Sequence, residues 1–279
     1  MKKYFEYKIY FKPFNIELIG GILWTLDISG ITENERFLSV YSENENLEPA
    51  LNEILQNAIK SGLLENYEIV SSEIENKNWN EEWEKKIDVI EVTENIVIKP
   101  TFREYENAGN KLVIEIDPKM SFGTGEHETT RLMLQLLEKY LRKDDKVLDA
   151  GSGTGVLAIA AVKLGAEKAL AFDVDEWCYM NGMENAELNN ASDKVKFLLG
   201  DISAVSENDF DLVLANINTH ILLEIAENLV EKISDGGRLI LSGLLRTDEE
   251  KIKNKYISLG LKLTDANHKN EWAALVFEK

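Results

Sequence analysis

The sequence contains one cysteine, four prolines and three histidines among its 279 residues. The single cysteine, Cys178, excludes an internal disulfide and is typical of a reducing compartment. We interpret it as an inert thiol rather than a nucleophile, because only three histidines are available to act as its base. Long apolar runs are also lacking, and charged residues interrupt the N-terminal segment where a signal peptide would be apolar. We therefore expect a cytoplasmic protein with no membrane contact, and we expect no metal site.

Basic residues are scarce relative to acidic ones. The chain has 31 lysines and arginines against 50 aspartates and glutamates, which gives a net charge of −19. Such a surface repels phosphate backbones, so direct nucleic-acid binding is not expected, whereas a basic partner would be attracted. Hydrophobic residues make up 44% of the chain, which is enough for a sizeable core. The length predicts about two domains.

The first part of the chain alternates short strand and helix patterns. Period-two runs predict strands, and apolar residues at helical spacing predict helices. The order is strand, helix, strand, helix, strand, which predicts a small α+β ferredoxin-like domain over residues 1–76. The predicted elements are YFEYKIYFK (4–12), FNIELIGGILWTL (14–26), RFLSVYS (36–42), LEPALNEILQNAIKSGL (47–63) and YEIVSSEI (67–74).

A polar, tryptophan-bearing helical stretch, NWNEEWEKKI, suits a connector, which we place at residues 77–96. DVIEVTENIVIKP and KLVIEIDP then predict strands that end at prolines. From there to the end, strand and helix patterns alternate. This alternation predicts an α/β domain over residues 97–279 with a doubly wound, mostly parallel, Rossmann-like sheet that ends in an antiparallel hairpin. The predicted sheet strands are KVLDA, KALAFDV, KVKFLLG, FDLVLANI and GRLILSGLL.

A glycine-rich turn follows the first of these strands, in the run DAGSGTG at residues 149–155. In an open α/β sheet the ligand lies beyond the carboxyl ends of the strands, where such a turn lets a ligand approach the backbone. Gly153, Gly155 and Ala158 match G-x-G-x-x-A, and Asp173 lies 20 residues after Gly153, as a dinucleotide site requires. A nicotinamide-dependent oxidoreductase is therefore one interpretation.

Three acids favour another cofactor. Asp149 precedes the glycines and would oppose a pyrophosphate at this helix N-terminus, whereas S-adenosylmethionine carries positive ammonium and sulfonium groups there. Asp173 ends the second strand, where it is placed to accept hydrogen bonds from a ribose. Asp201 follows the third strand, where it can meet the adenine amino group. Three acids after three successive strands are better explained by S-adenosylmethionine than by a dinucleotide.

Two further motifs lie where the reacting groups would meet. SFGTGEHETT, residues 121–130, reads as a flexible lid followed by a helix that Thr129 or Thr130 caps, with Thr130 offering a hydroxyl to the cofactor. At the end of the fourth strand, Asn216 begins the run NINT, where many amino-methylating enzymes carry N-P-P-Y. The missing prolines and aromatic ring disfavour a flipped base or a glutamine amide as acceptor. An aliphatic amine is the remaining candidate.

Taken together, these motifs resemble the methyltransferases of bacterial ribosomal protein L11, the PrmA family. DPKMSFGTGEHETT matches the family's DP..AFGTG.H.TT, and DAGSGTGVLAIAAVKLGA matches D.GCGSGILAIAA.KLGA. DVDEWCYMNGMENAELN, ANI, DGGRLILSGLL and NEW correspond to later family motifs, and WNEEW resembles the interdomain linker. The resemblance runs for about 200 residues from Asn78. The N-terminal part fits only in pattern and size.

The resemblance implies a fold, an activity and a set of contacts. It implies a class I methyltransferase that uses S-adenosylmethionine to methylate lysine side chains and the N-terminal amine of ribosomal protein L11, which the N-terminal domain docks. The implied cofactor contacts fall on Thr130, Gly151, Asp173 and Asn216, to which the glycine turn and the third acid add Gly153 and Asp201. No side chain stands out as a general base, so Asn216 is assigned a catalytic positioning role. We expect a monomer.

The sequence departs from the family pattern at three places, of which Ser152 is expected to matter little and Asn218 can alter the acceptor pocket. Ser152 replaces the usual cysteine of the glycine turn, EWC replaces a proline-containing segment after Asp175, and Asn218 replaces an apolar residue beside the predicted acceptor pocket. A different protein or a small amine as substrate therefore stays open, as does a methyltransferase fold that acts only by binding. The N-terminal domain favours a protein substrate, since a small one would hardly need it.

Overall fold

A computed structural model describes residues 4–14, 19, 22–23, 26, 28, 30–34, 36–42, 44, 46–74, 87–117, 119 and 121–279. The chain divides into two compact units, residues 1–86 and 87–279. The predicted connector at 77–96 falls across this division, and its helical stretch lies outside the described residues apart from Ile87. The three predicted ranges, 1–76, 77–96 and 97–279, stay a prediction. No helix in the described ranges is long and apolar enough to cross a membrane.

The first unit contains an antiparallel sheet of four strands in the order β2-β3-β1-β4. Strand β2 was not predicted, because four residues give too short a pattern. The predicted helix at 14–26 lies mostly outside the described residues, so the ferredoxin-like arrangement stays a prediction. The described elements are β1 (Tyr4–Lys12), β2 (Gly30–Glu33), β3 (Leu38–Ser42), α1 (Glu48–Lys60) and β4 (Asn66–Ile74).

Helix α1 packs its apolar face into the core of this unit. Leu51, Leu55 and Ala58 recur at helical spacing and are buried, and they join Tyr7 and Ile9 of β1 in one apolar cluster. Proline at the start of the helix fits there, because its missing N–H would be unpaired in any case.

The second unit is built on a seven-stranded sheet with the order β10-β9-β8-β11-β12-β14-β13. Strands β8 to β12 are mutually parallel, and β14 is antiparallel to both of its neighbours. The predicted Rossmann-like sheet is confirmed. The strands are β8 (Lys146–Ala150), β9 (Lys168–Asp173), β10 (Val195–Leu199), β11 (Phe210–Asn216), β12 (Ile233–Leu245), β13 (Lys262–Lys269) and β14 (Trp272–Glu278).

Helices cover both faces of this sheet. Successive residues of β8 show the alternation, since Val147 belongs to the apolar cluster on one face and Leu148 to the cluster on the other. Helices α2, α3 and α4 contribute to the first cluster, and α5, α6 and α7 to the second. The helices are α2 (Glu128–Tyr140), α3 (Val156–Leu164), α4 (Glu176–Leu188), α5 (Thr219–Glu224), α6 (Ala226–Lys232) and α7 (Glu249–Ser258).

A second, three-stranded sheet packs in the same unit. The run predicted as one strand at 88–100 is a hairpin of β5 (Ile90–Glu91) and β6 (Ile96–Lys99), and β6 pairs in parallel with β7 (Leu112–Glu115). Their apolar residues, among them Ile98 and Ile114, join the cluster formed by α2 and α3.

Three asparagines hold the chain at β7. Asn181 and Asn185 belong to α4, and Asn189 directly follows that helix. Asn189 Oδ1 accepts from the backbone N–H of Glu115 at 3.0 Å, and its amide donates back to the carbonyl of the same residue. Asn185 Oδ1 accepts from the N–H of Asp117 at 3.0 Å, and Asn181 donates to the carbonyl of Asp117 at 2.9 Å. Because these residues lie four apart, one helix face presents all three amides. We call this set the asparagine ladder.

Asn185 also reaches the glycine-rich turn, since its Nδ2 donates to the carbonyl of Thr154 at 3.0 Å. Its side chain is fully buried. The ladder therefore ties the chain at β7, and the loop that follows it, to the turn after β8. A buried amide that joins three segments leaves unpaired backbone groups when it is removed.

We predict that Asn185→Ala lowers the free energy of unfolding of the second unit by about 2–4 kcal/mol, because it leaves two backbone groups buried without partners. Urea unfolding followed by circular dichroism measures the change. Asn254→Ala is the matched control, since Asn254 is exposed on α7. A loss for Asn185→Ala no larger than that of the control would contradict this role.

Candidate active site

A cavity of about 870 Å³ opens at the carboxyl ends of the sheet strands. It lies beside the point where the strand order reverses, between β8 and β11, as expected for an open α/β sheet. Its lining residues are Phe122, His127, Thr129, Gly151, Gly153, Phe172, Asp173, Val174, Cys178, Asp201, Ile202, Ser203, Asn216, Ile217, Asn218, Ile221, Glu224, Ile225, Asn228, Gly243 and Trp272. The structure thus brings together most of the site residues predicted from separate motifs.

The glycine turn has no room for side chains. Gly151 has φ of 74°, and a Cβ there would lie 2.4 Å from Cγ2 of Ile217. Gly153 has φ of 53°, and a Cβ would lie 2.2 Å from the carbonyl oxygen of Phe122. Both residues line the cavity. Only glycine therefore fits at these two positions of the cavity wall, where the turn packs closely against Ile217 and Phe122.

Asp149 does not line this cavity. It is fully buried, and its Oδ2 accepts from the N–H of Ala158 at 3.1 Å, while Oδ1 has no hydrogen-bond partner among the described residues. Burial raises the pKa of Asp149 to about 7; the Ala158 N–H opposes this rise and the charge of Asp173 adds to it. Asp149, the acid before the glycine turn, is therefore a buried group outside the cavity lining. Near neutral pH both its neutral and its charged forms are populated.

The other two predicted acids face the cavity. Asp173 Oδ2 accepts from the N–H of Gly153 at 2.9 Å, and Oδ1 accepts from the N–H of Asp175 at 3.0 Å, so the carboxylate is fixed against the glycine turn. Asp201 Oδ1 accepts from both the hydroxyl and the N–H of Ser203. These two bonds hold the pKa of Asp201 below its usual range. Both carboxylates keep free lone pairs for ligand donors.

Asn216 stands at the end of β11, where it lines the cavity. Its Oδ1 is buried and has no hydrogen-bond partner among the described residues. A buried amide oxygen without a partner costs free energy, so the position calls for a donor from a ligand. Asn218, two residues on, is exposed and lines the same cavity.

The loop before α2 is fixed to the glycine turn. The N–H of Thr154 donates to the carbonyl of Phe122, and its hydroxyl donates to the carbonyl of Gly123, both at 2.8 Å. Phe122 is half exposed at the cavity edge. These bonds hold the loop in place against the turn, and its predicted role as a lid stays a prediction.

The predicted cap of α2 at Thr129 or Thr130 is wrong. His127 is the N-cap, because its Nδ1 accepts from the N–H of Thr129 at 3.3 Å and lies 2.8 Å from that residue's hydroxyl oxygen. Thr129 lines the cavity, whereas the predicted cofactor contact Thr130 does not. The Oγ1 of Thr130 is buried and has no hydrogen-bond partner among the described residues. The capping rule favours threonine over histidine, so the sequence pattern does not predict this arrangement.

Cys178 lines the cavity, although it was interpreted as inert. Burial raises the pKa of its thiol, which hydrogen bonding to Ser121 partly opposes. A raised pKa keeps the sulfur protonated at neutral pH and therefore a weak nucleophile. Among the described residues, no group of three histidine, cysteine, aspartate or glutamate side chains is placed to hold a metal ion.

Several lining residues were not predicted as site residues, although Gly243 and Trp272 lie in the motifs DGGRLILSGLL and NEW. Gly243 has φ of 82° at an irregularity of β12, and a Cβ there would lie 2.4 Å from the carbonyl oxygen of Ile217. It lets the backbone after Asn216 lie against β12. Trp272 reaches the cavity because β14 inserts between β12 and β13, and the ring centroid of Trp272 lies 4.8 Å from that of His127. Glu224 and Asn228 lie on or beside short helices whose position the sequence pattern does not fix.

The fold and the cavity define a Rossmann-like α/β protein with an acid-lined ligand site at the strand carboxyl ends. The family model described as ribosomal protein L11 methyltransferase (PrmA) matches residues 24–279. The chain therefore belongs to the ribosomal protein L11 methyltransferase family.

Individual relatives agree. The chain is 32% identical over 265 residues to the ribosomal protein L11 methyltransferase of Clostridium perfringens, covering 92% of this chain and 84% of that one. It is 35% identical over 210 residues to that of Ruminiclostridium cellulolyticum, covering 74% and 66%. Among solved structures, it is similar to the crystal structure of the ribosomal protein L11 methylase of Lactobacillus delbrueckii subsp. bulgaricus. That match has a TM-score of 0.65 and 30% identity, and covers 68% of this chain and 98% of that chain.

We predict a pH-dependent stability effect of Asp149→Asn in the absence of ligand. The folded pKa of about 7 lies above the unfolded value near 3.8, so the stability contribution of the neutral carboxyl is lost as pH rises between these values. The variant keeps an acceptor for Ala158 but cannot ionise. Its free energy of unfolding minus that of the parent should therefore increase by about 3 kcal/mol from pH 5 to pH 8.

Thermal and urea unfolding of both proteins at several pH values measure this difference. The comparison at pH 5, where the carboxyl is neutral in the parent, controls for packing changes. A difference that stays constant from pH 5 to pH 8 would contradict the assignment of a neutral buried Asp149.

Proposed function

We propose that this protein transfers methyl groups from S-adenosylmethionine to amino groups, both lysine side chains and an N-terminal amine, of ribosomal protein L11. The observation that carries the proposal is Asn216, whose buried Oδ1 has no hydrogen-bond partner in the described part of the chain and lies at the edge of an acid-lined cavity. Family membership supports the reaction, since the matching relatives are named ribosomal protein L11 methyltransferases. S-adenosylmethionine, when bound, supplies a methyl group activated by its positive sulfonium.

The cavity residues fit this cofactor. Gly151 and Gly153 form part of the cavity wall, and Asp173 is fixed to accept hydrogen bonds from a ribose. Asp201 is assigned to the adenine amino group. The hydroxyl of Thr130, which has no partner among the described residues, is assigned to the methionine end, although Thr130 does not itself line the cavity. The described lining residues include no lysine or arginine, and the negative carboxylates suit a cationic ligand and oppose a pyrophosphate.

Asn216 is assigned to hold the acceptor nitrogen as well as the cofactor. Its Oδ1 is a hydrogen-bond acceptor, and the N–H of an amine can donate to it. The acceptor must be neutral to react: a lysine of pKa ~10.4 is neutral in about one molecule per thousand at pH 7.4, whereas an α-amine near 7.8 is neutral in about 30%. A positive sulfonium and a partly dry cavity both lower an amine pKa. This chain offers no side chain that we assign as a general base, so we assign it positioning alone.

A basic protein substrate suits the charge of the chain. The net charge is −19, and residues 1–80 hold 13 acidic and 7 basic side chains, or −6. Such a surface speeds encounter with a basic ribosomal protein, and we assign its docking to the first unit. We further infer that the protein is cytoplasmic and monomeric and does not bind nucleic acid directly.

We predict that Asp173→Ala weakens binding of S-adenosylhomocysteine at least about tenfold, because it removes a charged acceptor. Isothermal titration calorimetry measures the affinity, and a parallel titration with NAD tests the dinucleotide alternative. Asp235→Ala is the matched control, as Asp235 is exposed. Asp173→Asn, which keeps one acceptor for the Gly153 N–H, separates loss of a ligand contact from collapse of the turn. Binding of NAD alone would overturn the cofactor assignment.

We predict that Asn216→Ala lowers the rate of methyl transfer to purified ribosomal protein L11 about 100-fold, as expected when one positioned polar group is lost. Mass spectrometry follows the gain of methyl units. Asn218→Ala, at an exposed position of the same loop, should lose less than tenfold. Equal rates for Asn216→Ala and the parent would refute the positioning role, and failure of the parent to methylate this substrate while it binds S-adenosylhomocysteine would redirect the search to another amine.

A further inference from the structure

A second cavity lies at the other end of the same sheet. It has a volume of about 190 Å³ and is lined at the amino ends of β8, β9 and β10, away from the strand ends that form the candidate active site. Its lining residues are Lys146, Lys168, Ala169, Leu170, Asp193, Lys194, Lys196, Glu207, Asn208 and Phe210. We call it the lysine cavity.

Four lysines are brought together here by strand register. Lys146 and Lys168 are direct partners on the adjacent parallel strands β8 and β9. Lys194 precedes β10, and its carbonyl accepts from the N–H of Ala169 next to Lys168. Lys196 lies two residues further and therefore on the same face as Lys194. Neighbouring strands are about 4.8 Å apart, so these positive side chains are close neighbours.

The four ammonium groups have no partner within the part of the chain that the structure describes. No ion pair within 4.0 Å and no side-chain hydrogen bond involves the Nζ atoms of Lys146, Lys168, Lys194 or Lys196. Asp193 and Glu207 also line the cavity without pairing with them. Like charges on neighbouring strands repel each other. Such a cluster is unexpected in a chain with 19 more acidic than basic residues.

A fifth lysine lies close by. Lys232 donates to Oδ1 of Asn208, a lining residue, at 3.0 Å and to the carbonyl of Val205 at 2.6 Å. The cavity floor includes Leu170 and Phe210, both buried. Four lining lysines against two lining acids leave a net charge of +2. All four lysines are exposed, so salt screens this charge and low ionic strength favours binding.

We propose that the lysine cavity binds a small polyvalent anion of the phosphate class, such as pyrophosphate. The ligand should carry two or more negative charges, because the ammonium groups of four lysines line the same cavity. The cavity volume of about 190 Å³ is below the ~300 Å³ at which drug-sized ligand pockets begin, which favours a small ligand over a whole nucleotide. The acidic surface of the rest of the chain disfavours a nucleic-acid backbone.

The test uses the full chain and sodium pyrophosphate at low ionic strength. Calorimetric titration should show saturable binding, and thermal unfolding should shift upward with pyrophosphate but not with an equal ionic strength of sodium chloride. The double variant Lys168→Gln, Lys196→Gln should weaken binding about tenfold or more, because two nearby charges are lost. Lys251→Gln, which removes an exposed lysine on α7, should leave the affinity unchanged.

The double variant should keep the parent's affinity for S-adenosylhomocysteine, which shows that it is folded and that the two sites are separate. Absence of saturable pyrophosphate binding at millimolar concentration, or an equal loss in the double variant and in Lys251→Gln, would overturn the proposal.

Discussion

The arrangement of the candidate active site depends on the buried amide of Asn185. This one side chain accepts from the backbone at Asp117 and donates to the backbone at Thr154, and so connects the chain after β7 with the glycine turn after β8. Thr154 in turn holds the loop at Phe122 and Gly123. Because a buried amide loses free energy unless all its groups are paired, these three segments keep one relative position. The mouth of the cavity is therefore rigid on the side of the glycine turn.

Charge divides the second unit between the two ends of one sheet. The carboxyl ends of the strands carry Asp173 and Asp201 around a cavity whose described lining includes no lysine or arginine, and the amino ends carry the lysine cavity. The parallel arrangement causes this separation, since every strand of β8 to β10 begins at one edge and ends at the other. A cationic cofactor and a polyvalent anion are thereby assigned to opposite edges, where neither repels the other.

Burial gives Asp149, the acid before the glycine turn, a different role from Asp173 and Asp201, which line the cavity. Asp149 is removed from water, which raises its pKa to about 7, whereas the bonds from Ser203 lower the pKa of Asp201. A positive ligand at the turn would favour ionisation of Asp149. The proposed cofactor and this buried proton are therefore linked, although no contact between Asp149 and the cavity is needed.

The sequence by itself determined the local elements and the family. Strand β8, predicted as KVLDA, has the predicted bounds, and Gly151, Gly153, Asp173, Asp201 and Asn216 all line one cavity as their places after strands required. Only the tertiary structure decided the features that depend on contacts between residues far apart in the sequence. It placed β14 between β12 and β13, which brings Trp272 to His127, and it made His127 the cap of α2 in place of a threonine. It also buried Asp149 and gathered four lysines from three strand starts. Periodicity reports which face of an element is apolar, but not which neighbour covers that face, so contacts between separate elements had to come from the fold.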